Sequence, residues 1–376
     1  MRKFILICLL IVAVFISRPK WEPYLSPYVD LSFLDTVTAS FHTVINRPEV
    51  QKAADTIGQT VETMAIQIDS LIDGNESAKQ LATIDFQNNE LPDGVFSVHR
   101  IEIGDTMEDV MAEAGEAKRV TMNEYGSKWH TYHKDYANYF MVSYNQEGLV
   151  NGLYTNQDLI SSTYNISMDT PKAEVRKQFG EPIDKLRKGM TFYLMDDKDE
   201  YDLYFKDGQY ITIFYDKHEK DTVTAIQIVT DELENQKHTL YGSASPELKE
   251  GFEFQLFDLT NAARVQHGLP TLTWDEHVRE TARKHSSDMA NNHFFNHTNL
   301  EGQSPFDRML ADGIYFTYAG ENLAYGQYSS IFAHEGLMNS LGHRENILNN
   351  DFSYLGIGVA FNEESQPYYT ENFFNK

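Results

Sequence analysis

Tyr354–Phe361 reads YLGIGVAF, and after a polar turn Tyr368–Phe374 reads YYTENFF. Both are short apolar runs bounded by polar residues, which predicts two paired strands near the C-terminus. Ahead of them lie segments with helical spacing. Phe252, Leu256, Leu259 and Ala263 mark a first helix that stops at His267-Gly268-Leu269-Pro270, a glycine stop followed by proline. A second, from about 275 to 291, puts Val278, Ala282, His285 and Met289 on one face. Pro305 starts a short third helix that ends at Asp312-Gly313, and a fourth spans about 329–339. Helices that precede and enclose strands predict an α/β sandwich over 246–376.

The chain has 376 residues, which suggests two or three folded units. Hydrophobic residues make up 41% of it, enough for sizeable cores and too many for a disordered chain. The formal net charge of −25 repels phosphate backbones and argues against nucleic acid as a partner. The single cysteine, Cys8, lies in the N-terminal apolar run, so the folded part has no disulfides.

Residues 1–20 combine a basic start, Met1-Arg2-Lys3, with the apolar run Phe4–Ile16. This reads as a secretory signal or, since no small-residue cleavage site follows, as a thin uncleaved membrane anchor. Either places the rest outside the cytoplasm. Residues 21–95 read as a helical, stalk-like segment. From Val50 through Ala54, Ile57, Val61, Met64 and Ile68 to Leu71, apolar residues alternate at steps of four and three. That seam over 50–71 either pairs two chains into a dimer or, the plainer reading, lays an amphipathic helix on a neighbouring domain.

A duplicated α+β domain is expected over 96–238. Asp105-Thr106, Val110 and Gly115-Glu116 recur as Asp169-Thr170, Val175 and Gly180-Glu181, with one extra residue before Val175. In each copy the threonine is expected to cap a short helix that the glycine ends. Alternating strands follow, at 139–145 and 148–156 in the first copy and at 191–195, 201–205, 210–216 and 223–229 in the second. Trp129, His130 and His133 read as structural, and the domain as one for binding or spacing. The polar stretch 231–250 reads as a linker.

Four ionisable residues stand out in the last domain. His297 ends NNHFFNH, Glu321 lies in GENLAYG, Glu335 in AHEGLMNS and His343 in SLGHRENIL. Two imidazoles and two carboxylates supply the elements of general acid–base chemistry or of a metal site. Spacing alone is weak support, and His293 and His334 beside them read as surface or packing residues. Arg344 and Asn346 read first as helix capping and a surface ion pair, with contact to an anionic or sugar-bearing ligand the alternative.

The order TNAARVQHGLPTLTWDEHV, ARKHSSDMA, HFFNHTNLEGQSPFDRM, GENLAYG, MNSLGHRENIL and YLGIGVAF is far more specific. It resembles the CAP superfamily of cysteine-rich secretory, antigen 5 and pathogenesis-related 1 proteins, in its cysteine-free bacterial branch. Residues 98–238 resemble the CAP-associated N-terminal domain of Bacillus-like bacteria. The resemblance implies an α+β protein whose C-terminal domain is a three-layer α-β-α sandwich. It also implies a cleft tetrad of His297, Glu321, Glu335 and His343. Some members hold zinc or another divalent ion there, which here would engage His297 and His343. It implies an exported, envelope-associated protein that binds an envelope ligand or protein partner. A peptidase-like hydrolase and a non-catalytic interaction protein are the alternatives. The chain departs from the family's Trp-Met-Asn-Ser-Pro-Gly-His-Arg at Leu337 and Leu341.

Overall fold

The structure, a computed structural model, describes residues 95–195 and 200–376. The apolar N-terminus, the stalk-like segment up to residue 94 and the seam over 50–71 lie outside the described residues. Among the described residues no helix is long and apolar enough to cross a membrane.

Strand β1 (Phe96–Val98) is followed by helix α1 (Met107–Ala114) and strands β2 (Arg119–Met122), β3 (Lys128–Lys134), β4 (Ala137–Tyr144) and β5 (Val150–Thr155). The short β6 (Ile160–Ser162) then returns to pair with β1. The second half runs through α2 (Lys172–Phe179) and the hairpin of β7 (Lys185–Lys188) and β8 (Thr191–Leu194). It continues with β9 (Tyr201–Lys206), β10 (Gln209–Asp216) and β11 (Thr222–Thr230). Seven strands form one antiparallel sheet in the order β2-β3-β4-β5-β11-β10-β9. The two halves meet at the β5–β11 seam, where Leu153 faces Ile228.

The duplication is visible in the backbone. Met107 N donates to Gly148 O, as Lys172 N does to Asp221 O; Val150 N donates to Asp105 O, as Val223 N does to Thr170 O. This keeps the buried Val110 and Val175 in step, and likewise Gly115 and Gly180. It also corrects one expectation. Thr106 caps α1 in a capping box with Asp109, but its counterpart is Pro171, which makes no side-chain cap bond. The Thr170 hydroxyl accepts from Ser167 N instead, so the extra residue before Val175 is a one-residue slip in reading the cap.

Nor is 231–250 a free linker. It holds α3 (Asp231–Glu234) and the start of α4 (Pro246–Gln266), which the Ser245 hydroxyl caps. Between them Lys237 is buried, and Gly242 lies so close to β2's following turn that a Cβ would come within 2.5 Å of Glu124 O.

After α4 come β12 (Thr273–Trp274), α5 (Glu276–Asn292), α6 (Pro305–Ala311) and β13 (Tyr318–Tyr325). Helices α7 (Ser330–Asn339) and α8 (Leu341–Ile347) precede the final hairpin of β14 (Tyr354–Phe361) and β15 (Pro367–Asn375). These strands form a sheet ordered β12-β14-β15-β13, with β12 parallel to β14 and the other pairs antiparallel. One face of β14 presents Leu355, Ile357 and Val359 to Leu256 and Ala263 of α4. The other carries Gly356 and Gly358, where a Cβ would lie 2.4 Å from Arg279 N and 2.1 Å from Arg283 N of α5. Only glycine admits so close a helix. The result is the three-layer α-β-α sandwich.

Helices α4 and α7 also pack outward on the seven-stranded sheet. Leu259, Ala262, Ile331 and Phe332 share one buried cluster with Trp129, Tyr139, Met141, Tyr154 and Phe214. Side chains of this size each contribute about 2 kcal/mol on burial. Arg119 pairs with Asp258 at 2.8 Å, and Gln255 Nε2 donates to Thr121 Oγ1 at 2.9 Å across the same boundary. Trp129 lies inside this cluster, while the His133 Nδ1 accepts from Tyr136 N in the β3–β4 turn.

Candidate functional site

GENLAYG forms β13, the edge strand of the C-terminal sheet, paired with β15 alone. The two-residue period of a strand sends Glu321 and Asn322 to opposite faces. On the Glu321 side stands α6. Its start is fixed by Pro305 and by a capping box between Ser304 and Asp307, which sets the position of Arg308. Arg308 Nη2 donates to Glu321 Oε2 at 2.6 Å. Its Nη1 donates to the carbonyls of His297 at 2.7 Å and Gln303 at 3.1 Å.

Glu321 Oε1 accepts from His297 Nδ1 at 2.9 Å. The Glu321 side chain is 1% exposed and that of His297 51% exposed. A buried carboxylate, balanced by a buried guanidinium, thus orients a ring open to solvent. With Nδ1 engaged, Nε2 is the nitrogen His297 offers to a ligand.

His343 is carried by α8. Its carbonyl accepts from Asn322 Nδ2 at 3.2 Å, and its buried Nδ1 has no hydrogen-bond partner. Burial, and then the nearby His297, hold its pKa below the usual imidazole range, so the ring is neutral near pH 7. Asn346 of the same helix donates to Asn322 Oδ1 at 2.9 Å and to Glu321 O at 3.3 Å. Asn322 also reaches the buried Glu371 Oε2 at 3.0 Å. Strand β13 and helix α8 are therefore tied together, and with them Glu321 and His343.

The structure takes Glu335 elsewhere. Its carboxylate accepts from the Tyr154 hydroxyl of β5 at 2.6 Å, at the boundary with the N-terminal sheet. The charges felt there are those of Asp216 and Arg344. The reason is the helix itself: α7 turns Ile331, Phe332 and Glu335 toward that sheet rather than toward His297. Arg344, too, turns away from the cleft and pairs with Asp216 at 2.7 Å. His334 is buried and pushed down to about 3 by desolvation, whereas His293 is the exposed left-handed end of α5.

Arg308 was not singled out by the sequence. Its only local signal is the Ser304-Pro305 start three residues earlier. Asn322 and Asn346 emerge as the polar clasp behind the site.

Among the described residues no group of three or more His, Cys, Asp or Glu is placed to hold a metal ion. His297 and His343 supply two neighbouring imidazoles, and both Glu321 oxygens are already taken by His297 and Arg308. That donor set fits an exchangeable divalent ion completed by water or ligand, not a structural zinc with four protein donors.

A three-layer sandwich whose edge strand carries a buried carboxylate that orients a loop histidine defines a cysteine-rich-secretory-type domain. Residues 257–373 match the profile of the cysteine-rich secretory protein family, and residues 103–240 match the CAP-associated N-terminal profile. The chain belongs to the CAP superfamily and carries a CAP-associated N-terminal domain ahead of its CAP domain.

The chain is 28% identical over 290 residues to the uncharacterized membrane protein YlbC of Bacillus subtilis strain 168, covering 73% of this chain and 82% of YlbC. It is 38% identical over 134 residues to the uncharacterized protein YkwD of the same strain, covering 36% of this chain and 51% of YkwD. An extracellular protein containing an SCP domain from Bacillus anthracis strain Ames is 28% identical, with a TM-score of 0.62 over 73% of this chain and 94% of that one. A cysteine-rich secretory protein from Staphylococcus aureus Mu50 shares the fold at 18% identity, with a TM-score of 0.59 over 77% and 98% of the two chains.

Proposed function

We propose that this chain is an extracytoplasmic, envelope-associated protein whose CAP cleft binds a ligand through His297 and His343. The observation that carries the reading is the chain Arg308–Glu321–His297. It holds a half-exposed imidazole in one tautomer while burying the charge that does so. Such an arrangement costs about 3 kcal/mol to break at either partner, so it favours a site built to present that ring. The N-terminal apolar run Phe4–Ile16 supports the location, as does the similarity to YlbC, named a membrane protein, and to the B. anthracis protein, named extracellular.

A divalent ion would be held by the His297 and His343 nitrogens and would supply a Lewis-acid centre there. Hydrolysis of an envelope peptide is a second reading, favoured because a carboxylate-backed imidazole is the arrangement of a general base.

The test is a complementation assay with the triple variant His297→Ala, Glu321→Gln and His343→Ala, alongside zinc titration of the full-length chain by calorimetry. Loss of the deletion phenotype's rescue, with the fold intact by circular dichroism, is expected. Full rescue by the triple variant overturns the cleft as the seat of function. Zinc binding that is unchanged in the variant removes the metal from this site. A hydrolytic activity that persists in Glu321→Gln removes the second reading.

A further inference from the structure

Away from that site, the N-terminal sheet and the C-terminal sandwich line a separate cavity of about 350 Å³ that is partly open to solvent. Its walls are aromatic: Tyr201 and Phe214 come from β9 and β10, and Tyr328 and Phe332 from the start of α7. These rings pack closely, with centroids 4.1 Å apart for Tyr328 and Phe332 and 5.0 Å for Phe214 and Phe332. Among the described residues no lysine, arginine or histidine lines the space, whereas Glu200 and Glu335 do.

The Glu335 carboxylate at its edge asks for a donor. Glu335 is 4% exposed and receives one hydrogen bond, from the Tyr154 hydroxyl at Oε1. A buried carboxylate with acceptor capacity left over costs free energy that a ligand N–H can recover. Aromatic faces attract a cation in a desolvated setting.

We infer that this interdomain cavity binds a primary alkylammonium, its charged head on Glu335 and its alkyl stem among the four rings. The cations nearby are already engaged: Arg344 with Asp216, Lys217 with Glu200 at 3.8 Å, and Lys237, whose Nζ lies 5.0 Å from the Tyr328 ring centroid, with Glu234 at 3.3 Å. Burial, with Asp216 adding to it and Tyr154 and Arg344 opposing it, lifts the Glu335 pKa to about 7. A bound ammonium compensates the ionised form. The stem can belong to a free amine or to a lysyl side chain of a polypeptide; the chemistry recognised is the same. The site shares no residue with His297, Glu321 and His343, so it stands or falls independently of the reading of that cleft.

The experiment titrates the full-length chain, in mild detergent, with n-butylammonium and with n-butanol as its neutral counterpart. Ligand-observed NMR and calorimetry report the binding. A millimolar dissociation constant is expected for the ammonium, with the alcohol weaker by about tenfold or more. Nα-acetyl-lysine N-methylamide distinguishes the sources: tighter binding than butylammonium assigns a lysyl side chain, weaker binding a free amine. Glu335→Gln keeps an acceptor for Tyr154 and is expected to weaken the ammonium by about tenfold.

Gly336→Leu gives an arm that does not disturb the Tyr154–Glu335 pair. A Cβ at Gly336 meets nothing nearer than 3.8 Å, and the longer side chain fills the cavity. It is expected to abolish binding. Equal binding of ammonium and alcohol, binding unchanged in both variants, or no binding up to about 50 mM each overturns the inference.

Discussion

Arg344 Nη1 lies 2.7 Å from Asp216 Oδ2 and so joins the helix that carries His343 to strand β10 of the N-terminal sheet. Both side chains are only 11% exposed. Asn339, at the end of α7, adds bonds to the same strand end: its Oδ1 accepts from Lys217 N and its Nδ2 donates to Tyr215 O, both at 2.9 Å. The N-terminal domain thus grips the corner between α7 and α8. Asp216→Ala leaves Arg344 buried without its counter-charge and is expected to destabilise the protein by about 3 kcal/mol. Denaturant unfolding of the full-length chain measures this, and a change within about 0.5 kcal/mol would show that the grip is not an ion pair of consequence.

Arg308→Ala is expected to cost about 3 kcal/mol as well, because Glu321 loses its balancing charge. Arg308→Lys should recover only part of it. One ammonium cannot fork between the Glu321 carboxylate and the two carbonyls that Arg308 serves. In the same samples, long-range nitrogen–proton NMR should show His297 losing its Nδ1–H tautomer in Glu321→Ala. An unchanged tautomer there would mean that Glu321 does not orient the ring.

Glu371 lies beneath the sheet, where Asn322 and Thr260 donate to it at 3.0 and 3.2 Å. Burial outweighs these bonds and lifts its pKa from 4.5 to about 7. The folded state therefore holds a proton that the unfolded chain releases above about pH 4.5. The associated stability is fully present below that pH and is lost as pH rises toward 7. Glu371→Gln removes this dependence. Relative to the parent, it should become more stable between pH 5 and pH 8 by about 2–3 kcal/mol. A difference that stays flat across that range would refute the buried-proton account.

Two glycines make opposite forecasts. Gly358→Ala drives a methyl to within 2.1 Å of the Arg283 backbone, which α5 cannot yield, so upwards of about 3 kcal/mol should be lost. Gly336 sits inside α7 with free space, and Gly336→Ala should stabilise the fold by about 0.5–1 kcal/mol. Melting temperatures of the pair suffice; a tolerated Gly358→Ala would contradict the close packing of α5 on β14.

Much of this could be read from the chain itself. The alternation in YLGIGVAF and YYTENFF marks two strands because both have large apolar side chains on the α4 face. GENLAYG gives no strand signal, since it lacks β-branched residues and spends two of its four buried positions on Glu321 and Asn322. The capping slip at Thr170 arose because Pro171 can begin a helix without any side-chain bond. Glu335 looked like a cleft residue while its partner was unknown; Tyr154 is 181 positions away and meets it only when the two sheets assemble. Arg308 was missed for the same reason: nothing in its neighbours separates a surface arginine from one that buries a carboxylate.

The cluster that unites Leu259 and Phe332 with Trp129 and Tyr154 bears on ancestry. Family profiles draw a border between residues 240 and 257, and the described residues on its two sides nevertheless form one compact unit. That border does not mark a gap in packing. A lineage that exchanged either half alone would leave a mismatched apolar surface on the other, and the new half would have to be refitted along this cluster.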